Sequence, residues 1–411
     1  MKKVFLFSSI LVLFLLSACT TTSGGRRNIE GPVAVDKSLS EIPENRLLNV
    51  SIEVFEPGEI PENEKRANGL SMDIREAEAR YMPEQLRATM EKTGYWGAVR
   101  VVPKGMASNE LLVTGTILQS NGLQLDLKIT AEDASGVKWF TKEYRDGVEA
   151  AFYQPAQRSG EAFQPLYNTI ANDLATFLKE LTVQEITNIR RIAELRFAMD
   201  IAPGVYDGYL DISETGEYTI IRLPSYDDPM YARVQAIQER DLLMIDTLNG
   251  HFDNFYREME QPYMEWRRAR SDEAEKQREL ENAALNRTLL GVASIVGAIF
   301  IGISNSEDDE DNEGNRRNGR NAGLDTLSDV MVMGGAAAIK SGMDKRSEAS
   351  IHRESIEELG TSFSSETRPL VVEVEGKTIE LTGSAEAQYE QWRVLMGQIY
   401  ASETGLSGSI D

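Results

Sequence analysis

Cysteine and histidine are almost absent from this chain. Its 411 residues contain one cysteine, Cys19, and two histidines, His251 and His352. A single cysteine cannot close an internal disulfide, and two histidines this far apart give no zinc-binding spacing. The sequence also has no glycine-rich phosphate loop and no nucleophile elbow. We therefore predict that the protein binds no metal ion or cofactor and is not an enzyme, although 66 acidic residues leave a hydrolase with paired carboxylates open.

Basic residues and long apolar runs are also scarce. The 43 Lys and Arg are outnumbered by 66 Asp and Glu, so the formal net charge is −23. Such an acidic surface repels polyanions, and we predict no nucleic-acid partner. Two apolar runs, Val4–Leu16 and Leu289–Ile303, are both shorter than the about 20 residues that a membrane-spanning helix needs. The apolar content of 41% is nevertheless sufficient for hydrophobic cores.

The N-terminus has the pattern of a secretory signal. Lys2-Lys3 give the positive start, Val4–Leu16 the apolar centre, and small residues precede the cysteine in Leu16-Ser17-Ala18-Cys19. These last four residues resemble the lipobox of bacterial lipoproteins. The resemblance implies that residues 1–18 are removed as a signal peptide and that Cys19 carries acyl chains such as palmitate. Because Thr20 rather than aspartate follows the cysteine, it also implies the outer membrane. An ordinary cleaved signal that ends in cysteine is the alternative.

Two stretches of different composition follow the signal. Residues 19–45 are rich in Gly, Ser, Thr, Pro and charge and have no hydrophobic period, so we predict a flexible tether. Residues 46–181 are predicted to form an α/β domain. Its predicted strands share period-two alternation or β-rich composition: 47–55, 98–102, 111–119, 123–132 and 138–144. The turns Ser120-Asn121-Gly122 and Asp133-Ala134-Ser135-Gly136 favour antiparallel neighbours.

Helices are predicted to cover one side of this sheet. One spans 73–93 and is expected to break near Pro83, because proline fits the first turn of a helix better than its interior. A second spans 163–181, with apolar residues on one face. The predicted fold class is therefore α+β, with an N-terminal, mostly antiparallel sheet and covering helices.

The domain resembles the small α/β domain of several envelope lipoproteins. The resemblance depends on the order of elements and on four segments: Thr93-Gly94-Tyr95-Trp96, Val99–Pro103, Leu112–Ile117 and Asp133–Gly136. Similar domains occur in the curli secretion-channel lipoprotein, in lipoprotein activators of peptidoglycan synthases, and at the N-terminus of the Tol-system periplasmic protein. The resemblance implies a non-enzymatic, protein-binding role.

Residues 182–287 are predicted to be a helical region. Thr182-Val183-Gln184-Glu185 is a capping box that opens its first helix. A hairpin is predicted over 205–223, followed by a long helix over 229–287. The apolar seam of that helix has steps of three and four residues: Ile245, Leu248, Phe252, Phe255 and Met259. Asp241 falls on the same stripe. We favour a shift of the stripe over a buried aspartate.

Residues 288–340 contain two uncharged, glycine-rich segments that we predict to form a helical hairpin around an acidic linker, 304–322. Small residues allow helices to approach closely. The predicted oligomer or membrane contacts are Gly291, Ser294, Gly297, Gly302, Gly334 and Gly335. Both segments are short for a bilayer, so packing within an oligomer or against the parent fold is favoured over membrane insertion, and disorder is a further alternative. Residues 341–411 are predicted to be a charged helix and a small ββα unit, whose Tyr389, Trp392, Met396 and Tyr400 are expected in its core.

Together these features predict a periplasm-facing outer-membrane lipoprotein. Its expected role is a non-enzymatic structural, assembly or protein-binding component of an envelope complex. The expected partners are the outer membrane, through the lipid anchor, an envelope protein that the sequence does not identify, and further copies of the same chain. The alternatives are an oligomeric secretion or pore subunit and an envelope-polymer hydrolase.

Overall fold

The computed structural model describes residues 26–60, 71–105, 109–154, 160–304, 353–361, 369–374 and 377–405. The predicted α+β class is confirmed, with a six-stranded N-terminal sheet and a small C-terminal hairpin followed by a helix. The strands of the large sheet are β1 Arg26–Asn28, β2 Val50–Glu53, β3 Val99–Val102, β4 Leu111–Ser120, β5 Gln124–Asp133 and β6 Lys138–Gly147. Their order across the sheet is β1-β6-β5-β4-β2-β3.

The sheet combines a long antiparallel centre with parallel edges. Strands β4, β5 and β6 form an antiparallel meander. Its two turns place Gly122 and Gly136 at φ of 86° and 81°, a region that favours glycine. The shorter pairs β1–β6, β2–β3 and β2–β4 are parallel. The β2–β3 pair is parallel because a helix connects the two strands and returns the chain to the same end of the sheet.

That connecting helix, α1 Met72–Glu91, is continuous through Pro83, so the predicted break is wrong. Proline has no N–H, and it therefore leaves the carbonyl of Ala79 without its usual partner four residues on. The backbone N–H of Phe55 donates to this carbonyl at 3.0 Å. This hydrogen bond attaches the helix to the segment that follows β2.

The remaining elements follow the predicted order with different bounds. They are α2 Gln164–Glu180, α3 Val183–Ile201, α4 Pro203–Tyr206, β7 Leu210–Ile212, β8 Tyr218–Ile220, α5 Pro229–Ser304, α6 353–361, β9 Leu370–Val374, β10 Lys377–Leu381 and α7 Ala385–Thr404. Single 3-10 turns occur at Glu44–Arg46 and Ala150–Tyr153. The capping box at Thr182 and Glu185 is confirmed. The hairpin is shorter than predicted because Pro203 starts a helical turn where a strand was expected.

The long helix α5 contains 76 residues and continues past the predicted boundary at 287. At 1.5 Å per residue its length is about 114 Å. The predicted seam is confirmed, since all five of its apolar residues are buried in the hydrophobic core. Helix α5 packs on α1, on β3 and on α7.

The chain before β2 differs from the predicted flexible tether. From Arg26 to Arg46, a segment we call the N-terminal strap, it lies against the sheet and α2. The backbone N–H of Ile29 donates to the carbonyl of Arg145 at 2.8 Å, which extends the pairing of β1. The side-chain amides of Asn168 and Asn172 then donate to carbonyls of the strap at 2.7 and 2.9 Å. Composition did not reveal the strap because these partners, in β6 and α2, lie more than 100 residues further along the chain.

Candidate functional site

Helix α5 covers the β3 edge of the sheet. The guanidinium of Arg100 on β3 pairs with the carboxylate of Asp246 on α5 at 2.6 Å. The backbone N–H of Val101 donates to Oδ1 of Asn249 at 2.8 Å. A free strand edge offers unpaired backbone groups to other chains, and the helix removes part of that edge from solvent.

A buried polar group, which we call the Glu78 cluster, lies where α5 crosses α1: Glu78, Ser120, Glu161, Tyr263 and Arg267. Oε1 of Glu78 accepts hydrogen bonds from the hydroxyls of Tyr263 and Ser120, both at 2.6 Å. Arg267 donates to the Tyr263 hydroxyl at 3.0 Å and pairs with Glu161 at 2.6 Å. The carboxylate of Glu78 and the guanidinium of Arg267 are fully buried. Buried charges need such partners, because desolvation without them is costly.

The close approach of α5 at this cluster explains why the β4–β5 turn contains a glycine, Gly122. A Cβ on Gly122, in the β4–β5 turn, would lie 2.9 Å from the carbonyl oxygen of Arg267. Only glycine allows the turn to approach α5 this closely while also adopting a positive φ. The hydroxyl of Tyr153 donates to the carbonyl of Gly122 and fixes the turn from the other side.

Burial changes the ionisation of the cluster. Desolvation raises the pKa of Tyr263 well above its ordinary value. Burial alone would lower the pKa of Arg267, but Glu161 and the surrounding tyrosines raise it well above its usual range. At neutral pH Tyr263 is therefore uncharged and Arg267 carries its positive charge. These fully buried side chains cannot contact a substrate from solvent, and their arrangement stabilises the docking of α5.

Asp241 is buried on α5, contrary to the shift of the stripe that we favoured. Only 1% of its surface is exposed. Burial raises the pKa of Asp241 to about 7, and this rise is partly offset by Trp392, Arg393 and Tyr389 of α7. The negative charge of Asp200 on α3 raises the pKa of Asp241 further. Asp200 also pairs with Arg393 at 2.7 Å. The sequence analysis did not predict the burial of Asp241, because helix α7, which covers it, lies about 150 residues further along the chain.

An open groove of about 680 Å³ lies beside the β5–β6 turn. Its walls come from that turn, the end of α2, the start of α3 and strand β8. The apolar lining consists of Val137, Phe177, Leu181, Ile189, Ile192, Ile220 and Leu223, and the rim carries Glu185, Asn188 and Arg191. This volume lies within the range of small-ligand sites, which are mostly apolar with few polar groups.

The turn that forms one wall is held rigidly. Asp133 accepts hydrogen bonds from the backbone N–H of Ser135 at 2.9 Å and from the indole N–H of Trp139 at 2.8 Å. The Trp139 ring stacks on Phe177 at 4.6 Å between centroids. The backbone N–H of Tyr218 donates to the carbonyl of Ser135 at 2.7 Å, which fixes the β7–β8 hairpin against the turn. The groove therefore exists before any ligand binds.

The residues singled out from sequence lie largely elsewhere. Gly291, Ser294, Gly297 and Gly302 are on α5, near its end. Cys19, Gly334, Gly335 and the linker after Ser304 lie outside the described residues. Tyr389, Trp392, Met396 and Tyr400 are confirmed as core residues of α7. The sequence analysis did not predict the groove or the Glu78 cluster, because both combine elements that are distant in sequence. The local signal for the cluster was the position of two charged residues, Arg75 and Glu78, on the apolar face of α1.

Two further findings apply to the described part of the chain. No helix in it is long and apolar enough to cross a membrane. No three His, Cys, Asp or Glu side chains in it converge as metal ligands would.

Comparison of the chain with protein-family models, with curated proteins and with solved structures gave no match. The resemblances to lipoproteins named above therefore depend on the quoted residues alone.

Proposed function

We propose that this protein is a lipid-anchored, periplasm-facing component of the outer membrane that binds or assembles other envelope proteins and catalyses no reaction. The observation that carries the proposal is Leu16-Ser17-Ala18-Cys19, a lipobox-like signal seven residues before β1 begins at Arg26. A chain extends at most about 3.5 Å per residue, so Cys19 lies within about 25 Å of the folded body. The anchor would hold the body close to the lipid surface.

A binding role is supported by where the polar groups lie. The buried ionisable groups of the Glu78 cluster contact one another and are covered by α5. The groove, by contrast, is open and mainly apolar. Apolar pockets with a few polar groups at the rim serve binding.

Substitution of the cysteine tests the anchor. Cys19→Ser should abolish labelling by a fatty-acid analogue and release the protein from outer-membrane fractions, because the acylated thiol is lost. Ser17→Thr, which keeps the cysteine, is the matched control and should leave the label in place. Acyl labelling that persists in the Cys19→Ser protein would refute the anchor.

We further propose that the apolar part of α5 supports self-association. Gly297→Leu should lower the oligomeric mass measured by light scattering, because bulk at a close helix contact separates the helices. Gly250→Leu is a matched control on the same helix, since a Cβ at that position would meet no atom within 4 Å. An unchanged mass for Gly297→Leu would contradict self-association through this segment. Electron microscopy of the intact oligomer would reveal a closed ring only in the case of the alternative, a secretion or pore subunit.

A further inference from the structure

Strand β8 has one edge that no other strand covers in the described part of the chain. Its pairing with β7 is antiparallel. At the two ends of the pair, the N–H of Ser213 donates to the carbonyl of Glu217 and the N–H of Ile221 to the carbonyl of Tyr209, both at 2.9 Å. Every second residue of an antiparallel strand bonds to its partner, so Glu217, Thr219 and Ile221 direct their backbone groups toward β7. The residues between them direct theirs to the opposite edge.

The backbone groups of Tyr218 and Ile220 therefore point away from β7. The N–H of Tyr218 agrees with this geometry, since it donates to the carbonyl of Ser135 at 2.7 Å. The next backbone groups on this edge belong to Ile220, a lining residue of the groove. Among the described residues, its N–H and C=O have no hydrogen-bond partner. A chain that docks here as a third strand would exchange two hydrogen bonds with Ile220.

Apolar side chains surround this open edge. Ile220 and Leu223 line the groove on one side, and Ile189 and Ile192 of α3 line it on another. Two lining residues are well exposed, Leu223 at 46% and Val137 at 40%. The side chains of an added strand alternate between two faces, so every second one would enter the groove and cover these residues. An acyl chain would also fill the apolar walls, but it has no N–H to donate to the carbonyl of Ile220. The open backbone groups thus favour a peptide over a lipid.

Two charges at the rim determine the direction of the added strand. Glu185 and Arg191 are exposed on α3, six residues and about 9 Å apart along the helix axis. The guanidinium of Arg196 lies over the ring of Tyr218 at 4.5 Å, so β8 starts beside the later turns of α3 and leads back toward its beginning. A strand antiparallel to β8 therefore passes Glu185 before Arg191. Charge complementarity then requires a basic residue followed by an acidic one.

We propose that the groove binds an extended segment of a partner protein, which adds to β8 as an antiparallel third strand. Its apolar side chains enter the groove at every second position. Between them, a basic residue faces Glu185 and an acidic residue nearer the C-terminus of the segment faces Arg191. This inference rests on the protein-binding part of the proposed function and not on the lipid anchor. Absence of acylation in cells would refute the anchor but not this docking.

Fluorescence anisotropy of a labelled peptide tests the docking with the chain from residue 19 onwards, expressed without acylation. The probe is Thr-Val-Lys-Val-Glu-Val-Thr, whose valines alternate with the lysine and the glutamate that face the rim. N-methylation of the central valine removes the N–H that donates to the carbonyl of Ile220. N-methylation of the lysine is the matched control, because that N–H points away from β8. A third peptide exchanges the lysine and the glutamate and keeps the composition.

We expect methylation of the central valine to weaken binding at least about tenfold, because one hydrogen bond is lost and the carbonyl of Ile220 stays unpaired. Methylation of the lysine should change the affinity by less than about threefold, since it removes no bond to β8. Exchange of the two charges should weaken binding by about two- to fivefold, as is usual for exposed ion pairs. No binding at about 1 mM peptide, or an equal loss for both methylated peptides, would overturn the proposal.

Two variants test the same contact from the side of the protein. Ile220→Pro removes the N–H of the open edge, where proline is tolerated, and Ile220→Ala removes the side chain but keeps the N–H. The peptide should bind at least about tenfold more weakly to Ile220→Pro than to Ile220→Ala, and equal affinities would overturn the proposal. Where the proline variant unfolds, as judged by circular dichroism, the methylated peptides decide. A fluorescent fatty acid that binds the groove when the peptide does not would assign it to lipid. A lower oligomeric mass for Ile220→Pro would assign it to a second copy of the chain, and either result would overturn the proposal.

Discussion

Replacing Asp241 by asparagine should stabilise the protein above neutral pH. In the folded chain burial raises the pKa of Asp241 to about 7, whereas the ordinary value is 3.8. Between these pH values the folded state binds one proton more than the unfolded state. The free energy of unfolding therefore falls as pH rises from about 4 to about 7 and stays lower above that range. The full loss corresponds to about 4 kcal/mol. The amide introduced by Asp241→Asn resembles the protonated carboxyl and does not titrate.

Urea unfolding followed by circular dichroism between pH 4 and pH 8 measures this effect. The two proteins should have nearly equal free energies of unfolding at pH 4, and the variant should gain up to about 4 kcal/mol by pH 8. Asp246→Asn is the matched control, since Asp246 lies on the same helix, is half exposed and pairs with Arg100. Its effect should stay below about 1 kcal/mol at every pH. A difference for Asp241→Asn that does not grow with pH would refute the buried, protonated aspartate.

Three further outcomes are expected. Tyr263→Phe removes a donor to the buried carboxylate of Glu78 and should lower the free energy of unfolding in urea by about 1–3 kcal/mol; no loss would mean that water replaces the hydroxyl. Thr182→Ala removes the capping box and should cost about 1 kcal/mol by the same measurement, and an unchanged midpoint would contradict the cap. The fragment Leu47–Leu181 should unfold cooperatively on heating, at a lower temperature than the full chain because it lacks Tyr263 and Arg267; broad melting would indicate that α5 completes its core.

Local signals predicted much of the fold. Strands β4 and β5 alternate buried and less buried residues, and glycine turns join them to each other and to β6, so this part of the sheet could be predicted from short windows. The seam of α5 and the capping box at Thr182 are equally local, and both are confirmed.

Features that depend on distant partners were not predicted. Helix α1 tolerates Pro83 because the backbone N–H of Phe55, in the segment after β2, donates to the carbonyl of Ala79 that proline leaves free. The N-terminal strap is held by Asn168 and Asn172, which follow it by more than 100 residues. The groove combines four elements, and no single window of the sequence contains its apolar wall.

The lipid anchor is the central claim, and the intact mass of the protein extracted from cell membranes tests it most directly. We predict a chain that begins at Cys19 and carries the added mass of its acyl groups, with fragmentation placing that mass on the first residue. A mature chain with an unmodified thiol at Cys19, or one that keeps residues 1–18, would contradict it.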